Sequence, residues 1–174
     1  MTEESSPPTT AQDGAAGDQA AAPPITIDVQ YIKDFSFENP NAPVVYTEIQ
    51  GAPQVDVNVN VGVQPLAEAT FEVVLTLQAH AKYGDKTAFL AELVYGAVTR
   101  LAGVPQDAVE PVLLIEVPRL IFPFARATLA DVTQNGGYPP LLINPVDFAG
   151  MYRNQKAAQA QAAQGEAPAS DSTH

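Results

Sequence analysis

From Gln54 to Gln64 valine takes every second position, at 55, 57, 59, 61 and 63, and Asp56, Asn58, Asn60 and Gly62 fill the gaps. Successive side chains leave a strand on opposite faces, so this alternation predicts one dry and one wet face. A strand covered on both sides in a parallel sheet would read as an unbroken apolar run, so antiparallel pairing is favoured. The same period recurs in three other segments. Between Ile25 and Glu38 a row of Ile25, Ile27, Val29, Tyr31, Lys33, Phe35 and Phe37 opposes Thr26, Asp28, Gln30, Ile32, Asp34, Ser36 and Glu38. Between Ala69 and Tyr83 Phe71, Val73, Leu75, Leu77 and Ala79 oppose Glu72, Val74, Thr76, Gln78 and His80. Gly84 and Asp85 then tolerate the backbone angles of a short hairpin. The fourth segment, Thr87 to Leu101, sets Phe89, Ala91, Leu93 and Tyr95 against Ala88, Leu90, Glu92 and Val94. Leu90 beside Glu92 leaves an apolar spot on a face otherwise carrying acids.

After a connection over residues 102–118, the spacing of Ala125, Leu129 and Val132, with Phe122 and Phe124 nearby, changes to that of a helix. Pro123 suits a first turn or a kink, and Gly136 with Gly137 supplies the stop. Residues 137–143 read as extended. A second helix follows, with Asn144 as cap, Pro145 at the first helical position and Asp147 in the first turn. Its Phe148, Met151 and Tyr152 form one apolar stripe. Strands first and helices last predict an α+β domain: a four-stranded antiparallel sheet with two C-terminal helices packed on one face. Two modest helices are too few to wrap the sheet, so apolar surface is left for another subunit or a ligand.

Residues 1–24 hold little to bury and are expected to be a disordered acidic tail, and residues 156–174 a disordered Ala/Gln-rich one, although Ala and Gln can prolong a helix by a turn or two. The folded domain is then residues 25–155. The formal charge of -12, from 20 acids and 8 bases, repels phosphate backbones, so no nucleic acid is expected as a partner. With no cysteine, disulfides, thiolate metal sites and cysteine nucleophiles are excluded. The two histidines, His80 and His174, cannot assemble a metal cluster or a triad, and His80 reads as a solvated strand residue. No phosphate-cradling loop occurs. No cofactor, no metal and no enzymatic activity are expected. The N-terminal stretch has neither base nor apolar run, and no segment reaches the length needed to span a bilayer, which predicts a cytoplasmic protein with no membrane insertion.

Three blocks, residues 31–43 (YIKDFSFENPNAP), residues 71–93 (FEVVLTLQA and TAFLAEL) and residues 119–152 (RLIFPFARATLADVTQNGGYPPLLINPVDFAGMY), resemble the SecB family of bacterial protein-export chaperones. The resemblance covers nearly all of residues 25–155. It implies a homotetramer built as a dimer of dimers, with helices sandwiched between sheets. It also implies an ATP-independent chaperone that holds unfolded precursor proteins and delivers them to the SecA translocation ATPase. Carried over by position, the SecA-binding residues are Asp34, Glu38, Leu90 and Glu92, all on the face the alternation turns to water. The client-peptide groove falls on Tyr46 and Ile49 in the loop after the first strand and on Phe148, Met151 and Tyr152 in the last helix. The alternative is a SecB-like factor of the same fold dedicated to a single partner.

Overall fold

The computed structural model describes residues 24–48 and 51–165, and within them the four alternating segments form one antiparallel sheet in the order β1-β4-β3-β2. β1 spans Ile25–Glu38, β2 Gln54–Ala67, β3 Thr70–Tyr83 and β4 Lys86–Leu101. Tyr83 faces Lys86, so Gly84 and Asp85 are the two-residue hairpin the sequence predicts, with Gly84 at φ 56°. β1 lies at the edge opposite β2, and the crossover between them contains the one-turn helix α1 (Val45–Glu48).

The two central strands carry the core. Leu75, Leu77 and Ala79 of β3 and Ala91, Leu93 and Ala97 of β4 are buried on the inner face. β2, an edge strand, is covered far less: Val55, Val59 and Val61 are half-buried, while Val57 and Val63 remain 38% exposed. The all-valine face therefore is dry only in part. Ala88, expected on the wet face, is fully buried, because the β3–β4 register slips between Ala81 and Lys82.

β1 breaks its own alternation twice. Register shifts between Ile27 and Val29, and between Ile32 and Asp34, leave Asp28 and Lys33 as extra residues. Each bulge reverses which face the following residues occupy. Val29 and Tyr31, expected in the dry row, lie opposite Val98 and Gly96 on the outer face, and Gln30 and Ile32 turn inward. Beyond the second bulge Asp34, Ser36 and Glu38 are outward as the alternation predicts.

Helical backbone begins at Gln106, inside the segment that reads as a connection. It runs through α2 (Gln106–Pro111), a π-helical stretch (Val112–Glu116) and α3 (Val117–Asn135). Pro105, Pro111 and Pro118 make the sequence look broken there. Pro105 in fact stands just ahead of the first turn, where a missing N–H is tolerated. The wider π turn falls between Pro111 and Pro118, whose absent donors interrupt the regular ladder. Val117, Ile121, Phe122, Ala125, Leu129 and Thr133 recur at helical spacing and are buried. Leu120 and Phe124 of the same helix are about half exposed.

The linker after α3 is tied down by Thr133, whose hydroxyl accepts the Leu141 N–H at 2.9 Å. The last helix, α4, spans Phe148–Gly165. Its cap is Asp147, not Asn144: Oδ1 of Asp147 accepts the Gly150 N–H at 2.9 Å. Ala and Gln are good helix formers, so α4 continues past Gln155 to Gly165. The segment expected as an N-terminal tail, up to residue 23, and residues 166–174 lie outside the described residues.

Candidate functional site

The outer face of the sheet is laid out in rows by the strand register. Glu38, Leu90, His80 and Asp56 stand in one row across all four strands. Ser36, Glu92, Gln78 and Asn58 form the next, and Asp34, Val94, Thr76 and Asn60 the third. The first two rows surround a depression of about 450 Å³ whose lining includes Glu38, Asp56 and Glu92 and neither lysine nor arginine. Leu90, 36% exposed, gives it an apolar floor. Of the four residues expected to bind SecA, the structure thus brings together Glu38, Leu90 and Glu92. Asp34 is exposed on the same face but one row further on, beside the second bulge.

Charge is unevenly distributed on this face. At the far end Glu72 is almost wholly buried, and Nζ of Lys33 donates to both of its carboxylate oxygens at 2.8 Å. The Tyr31 hydroxyl donates to Oε1 of the same carboxylate. Lys33 first, then Tyr31, holds the Glu72 carboxyl below the usual carboxylate range. Tyr31 in turn is pushed up to about 12, chiefly by that hydrogen bond, with burial and the carboxylate charge adding. Its ring lies over Gly96, where a Cβ would come within 2.8 Å of Cζ. Arg100 pairs with both carboxylate oxygens of Asp28 at 2.7 Å. By contrast, Asp34, Glu38, Asp56 and Glu92 have no ion-pair partner among the described residues. The sequence reading missed this paired end because it set Tyr31 and Lys33 in the dry row. A lysine among aromatic and branched residues was the available signal.

The residues expected to line a client groove do not form one continuous wall. Phe148 is 1% exposed and packs edge-on against Phe122, with ring centroids 5.9 Å apart, so it belongs to the core and only lines the floor of a separate depression of about 230 Å³ with Pro145 and Val146. Met151 and Tyr152 are half-buried and, with Leu114, Val61, Asn60 and Gln155, line a cleft of about 280 Å³ between β2 and α4. α4 is held there by a Lys156–Glu110 ion pair at 2.7 Å. Tyr46 belongs to a different neighbourhood. Its ring packs on Tyr138 at 5.4 Å and its hydroxyl donates to the Gly136 carbonyl at 2.6 Å. Tyr138 then packs on Phe89, and Phe89 on Phe37. Burial, followed by the adjacent Tyr46, pushes the Tyr138 hydroxyl up to about 12. From Gln54, which shares a depression with Val45 and Glu48 of α1, the half-covered valine row of β2 leads to Val61 at the α4 cleft. Ile49 lies outside the described residues.

Among the described residues, no His, Cys, Asp or Glu cluster suited to a metal ion is found, and no helix is long and apolar enough to cross a membrane.

A profile of the family described as "Preprotein translocase subunit SecB" matches residues 18–159. The chain is 53% identical over 153 residues to the protein-export protein SecB of Agrobacterium fabrum, covering 88% of this chain and 94% of that one. It is likewise 53% identical over 155 residues to that of Rhodospirillum rubrum, covering 88% and 93%. Among solved structures, a Mycobacterium tuberculosis SecB-like chaperone in complex with an antitoxin peptide matches with a TM-score of 0.58 at 12% identity, over 70% of this chain and 90% of that one. This last likeness is one of fold.

Proposed function

The chain belongs to the SecB family and is a protein-export chaperone, and on that premise we propose how its two sheet faces divide the work. The inner side holds unfolded precursor proteins without ATP. The outer face delivers them to the SecA translocation ATPase in the cytoplasm. Holding needs no bond to be made or broken, so no catalytic group is assigned.

Delivery is carried by one observation: Glu38, Leu90 and Glu92 share a depression lined by no lysine or arginine. Carboxylates around an exposed leucine suit a basic partner that also makes an apolar contact. Asp34 contributes from the adjacent row.

Holding is supported by what the helices leave uncovered. Val57, Val63, Met151 and Tyr152, together with Leu114 and Tyr46, offer aliphatic, thioether and aromatic surface of adaptable shape. Ile49, which lies outside the described residues, is assigned to client contact as well. Each client side chain buried there contributes roughly 1.5 to 3 kcal/mol. Association costs more than one such contact returns, so several spaced contacts along an extended client are required. A folded protein hides these groups, and selectivity for unfolded chains follows.

Assembly as a homotetramer, a dimer of dimers, would multiply the contacts through effective concentration. Two features support it. β1 is a 14-residue edge strand with an open row of backbone groups, and Val29 and Ile32 are about half exposed along it. Leu120 and Phe124 form a second uncovered apolar patch on α3.

Glu38→Lys and Glu92→Lys test delivery by calorimetry against SecA, and each is expected to weaken affinity by about tenfold or more while client holding is kept. Met151→Ala with Tyr152→Ala should do the reverse, with the native mass of the assembly unchanged. Full SecA affinity in both charge variants rejects the docking site. A protein that retards refolding of one precursor but of no unrelated ones is instead a single-partner factor.

A further inference from the structure

The acidic depression does not stop at β1 and β4. Its lining continues through Gln78 and His80 of β3 to Asp56 and Asn58 of β2, the opposite edge of the sheet. Asp56 is exposed, has no ion-pair partner among the described residues, and faces His80 in the row that also holds Leu90 and Glu38. Along the strands, by contrast, the carboxylates beyond Asp34 are already paired: Lys33 satisfies Glu72 and Arg100 satisfies Asp28.

We infer that the SecA docking surface runs across the strands to Asp56, which receives a second cationic side chain of the partner. This deepens the docking role given above and rests on it. A basic segment lying toward Asp28 and Glu72 would meet carboxylates already neutralised by Lys33 and Arg100. Lying across the rows, it finds unpaired acids at both ends and an apolar centre at Leu90.

Spacing fixes what the partner must carry. Neighbouring strands are about 4.8 Å apart, so Glu38 and Asp56, at opposite edges, are separated by roughly 14 Å. That exceeds the screening length of about 8 Å at physiological ionic strength, so one cation cannot serve both acids. At roughly 3.3 to 3.6 Å per residue, an extended segment spans this distance in about four residues. The occupant is therefore a basic segment that presents two cationic side chains roughly 14 Å apart with an apolar group between them. His80, whose Nε2 lies 3.1 Å from Oγ1 of Thr87, and the Asn58–Gln78 hydrogen bond at 3.3 Å leave polar groups along the path.

The test is calorimetric titration of the full chain with intact SecA, using Asp56→Lys, Asp56→Asn, Glu38→Lys and a control, Glu68→Lys, at an exposed acid in the β2–β3 turn outside the depression. Asp56→Lys is expected to weaken affinity about tenfold and Asp56→Asn about threefold, with both effects shrinking as salt rises, and Glu68→Lys to change it less than twofold. Because the two acids lie beyond screening distance, the Glu38→Lys and Asp56→Lys losses should add. If Asp56→Lys behaves as Glu68→Lys does while Glu38→Lys weakens binding, the extension is wrong and docking is confined to β1 and β4. If neither Asp56→Lys nor Glu38→Lys matters, the docking role itself falls. Undiminished client holding by every variant establishes that the sheet is intact.

Discussion

Glu72→Gln should destabilise the protein by about 1 to 2 kcal/mol at pH 7, and the loss should vanish in acid. In the native chain Glu72 is nearly buried and accepts from Lys33 and Tyr31. Hydrogen bonds to a charged group contribute roughly 1.5 to 3 kcal/mol when well desolvated. Lys33 is 45% exposed, so its half of the pair is partly screened and the figure falls toward about 1 kcal/mol. The amide oxygen of glutamine still accepts from Tyr31, which limits the loss. Because the folded state lowers the Glu72 pKa, the contribution of its charge is complete above the ordinary glutamate value of about 4.3 and disappears as pH falls through the lower folded value. Tyr31 sets the alkaline limit. Its hydroxyl is raised to about 12, so the stability it contributes is present below the ordinary tyrosine value of about 10 and is lost as pH climbs to 12. Urea unfolding of both proteins at one protomer concentration, across this pH range, is the assay, because assembly makes stability concentration-dependent. Equal stability at pH 7, or a gap that survives unchanged in acid, would refute the reasoning.

Two substitutions probe the interior. Gly136→Ala would put a Cβ 2.4 Å from Cζ of Phe37, a ring already stacked on Phe89, and should cost about 1 to 3 kcal/mol in thermal or denaturant unfolding; an unshifted transition would show that the ring moves freely. Thr99→Val should stabilise by about 1 kcal/mol or more, because the Thr99 hydroxyl is fully buried without a partner among the described residues, and a lowered melting temperature would contradict this.

The sheet was legible where one period held without interruption. β3 and β4 alternate along most of their length, and apart from Glu72, Ala88 and Gly96 their buried residues follow the dry row the pattern names. The helix start was hidden by prolines, the first of which, Pro105, stands ahead of the first turn and does not break the helix. The outward acids Glu38 and Glu92 follow directly from the alternation, and so does Leu90. Asp56 was equally visible as a wet-face residue, but its sharing of a depression with Glu38 depends on strand order, and no local pattern encodes that β1 lies beside β4. The depth of Phe148 was hidden for a related reason. Helical spacing marks the apolar stripe of α4 without saying how deep each member sits, and Phe122 closes over the first of them.

β1 shows why its ends were readable and its middle was not. Each inserted residue flips the faces, and two insertions cancel, so Ile25 and Ile27 at one end and Phe35 and Phe37 at the other keep the phase of a single unbroken alternation. Only the stretch between the bulges is inverted. That inversion carries Tyr31 outward onto Gly96, the second bulge lets Lys33 reach Glu72, and the first lets Asp28 reach Arg100. Without the bulges Lys33 would point into the core beside Phe35, and Glu72 would add a further unpaired carboxylate to the outer face. The bulges therefore sort charge on this face: they neutralise one end and leave Asp34, Glu38, Glu92 and Asp56 uncompensated toward the other. On the docking role proposed above, the field of those acids would steer a basic partner to that end, and its orientation would follow from two extra residues in an edge strand.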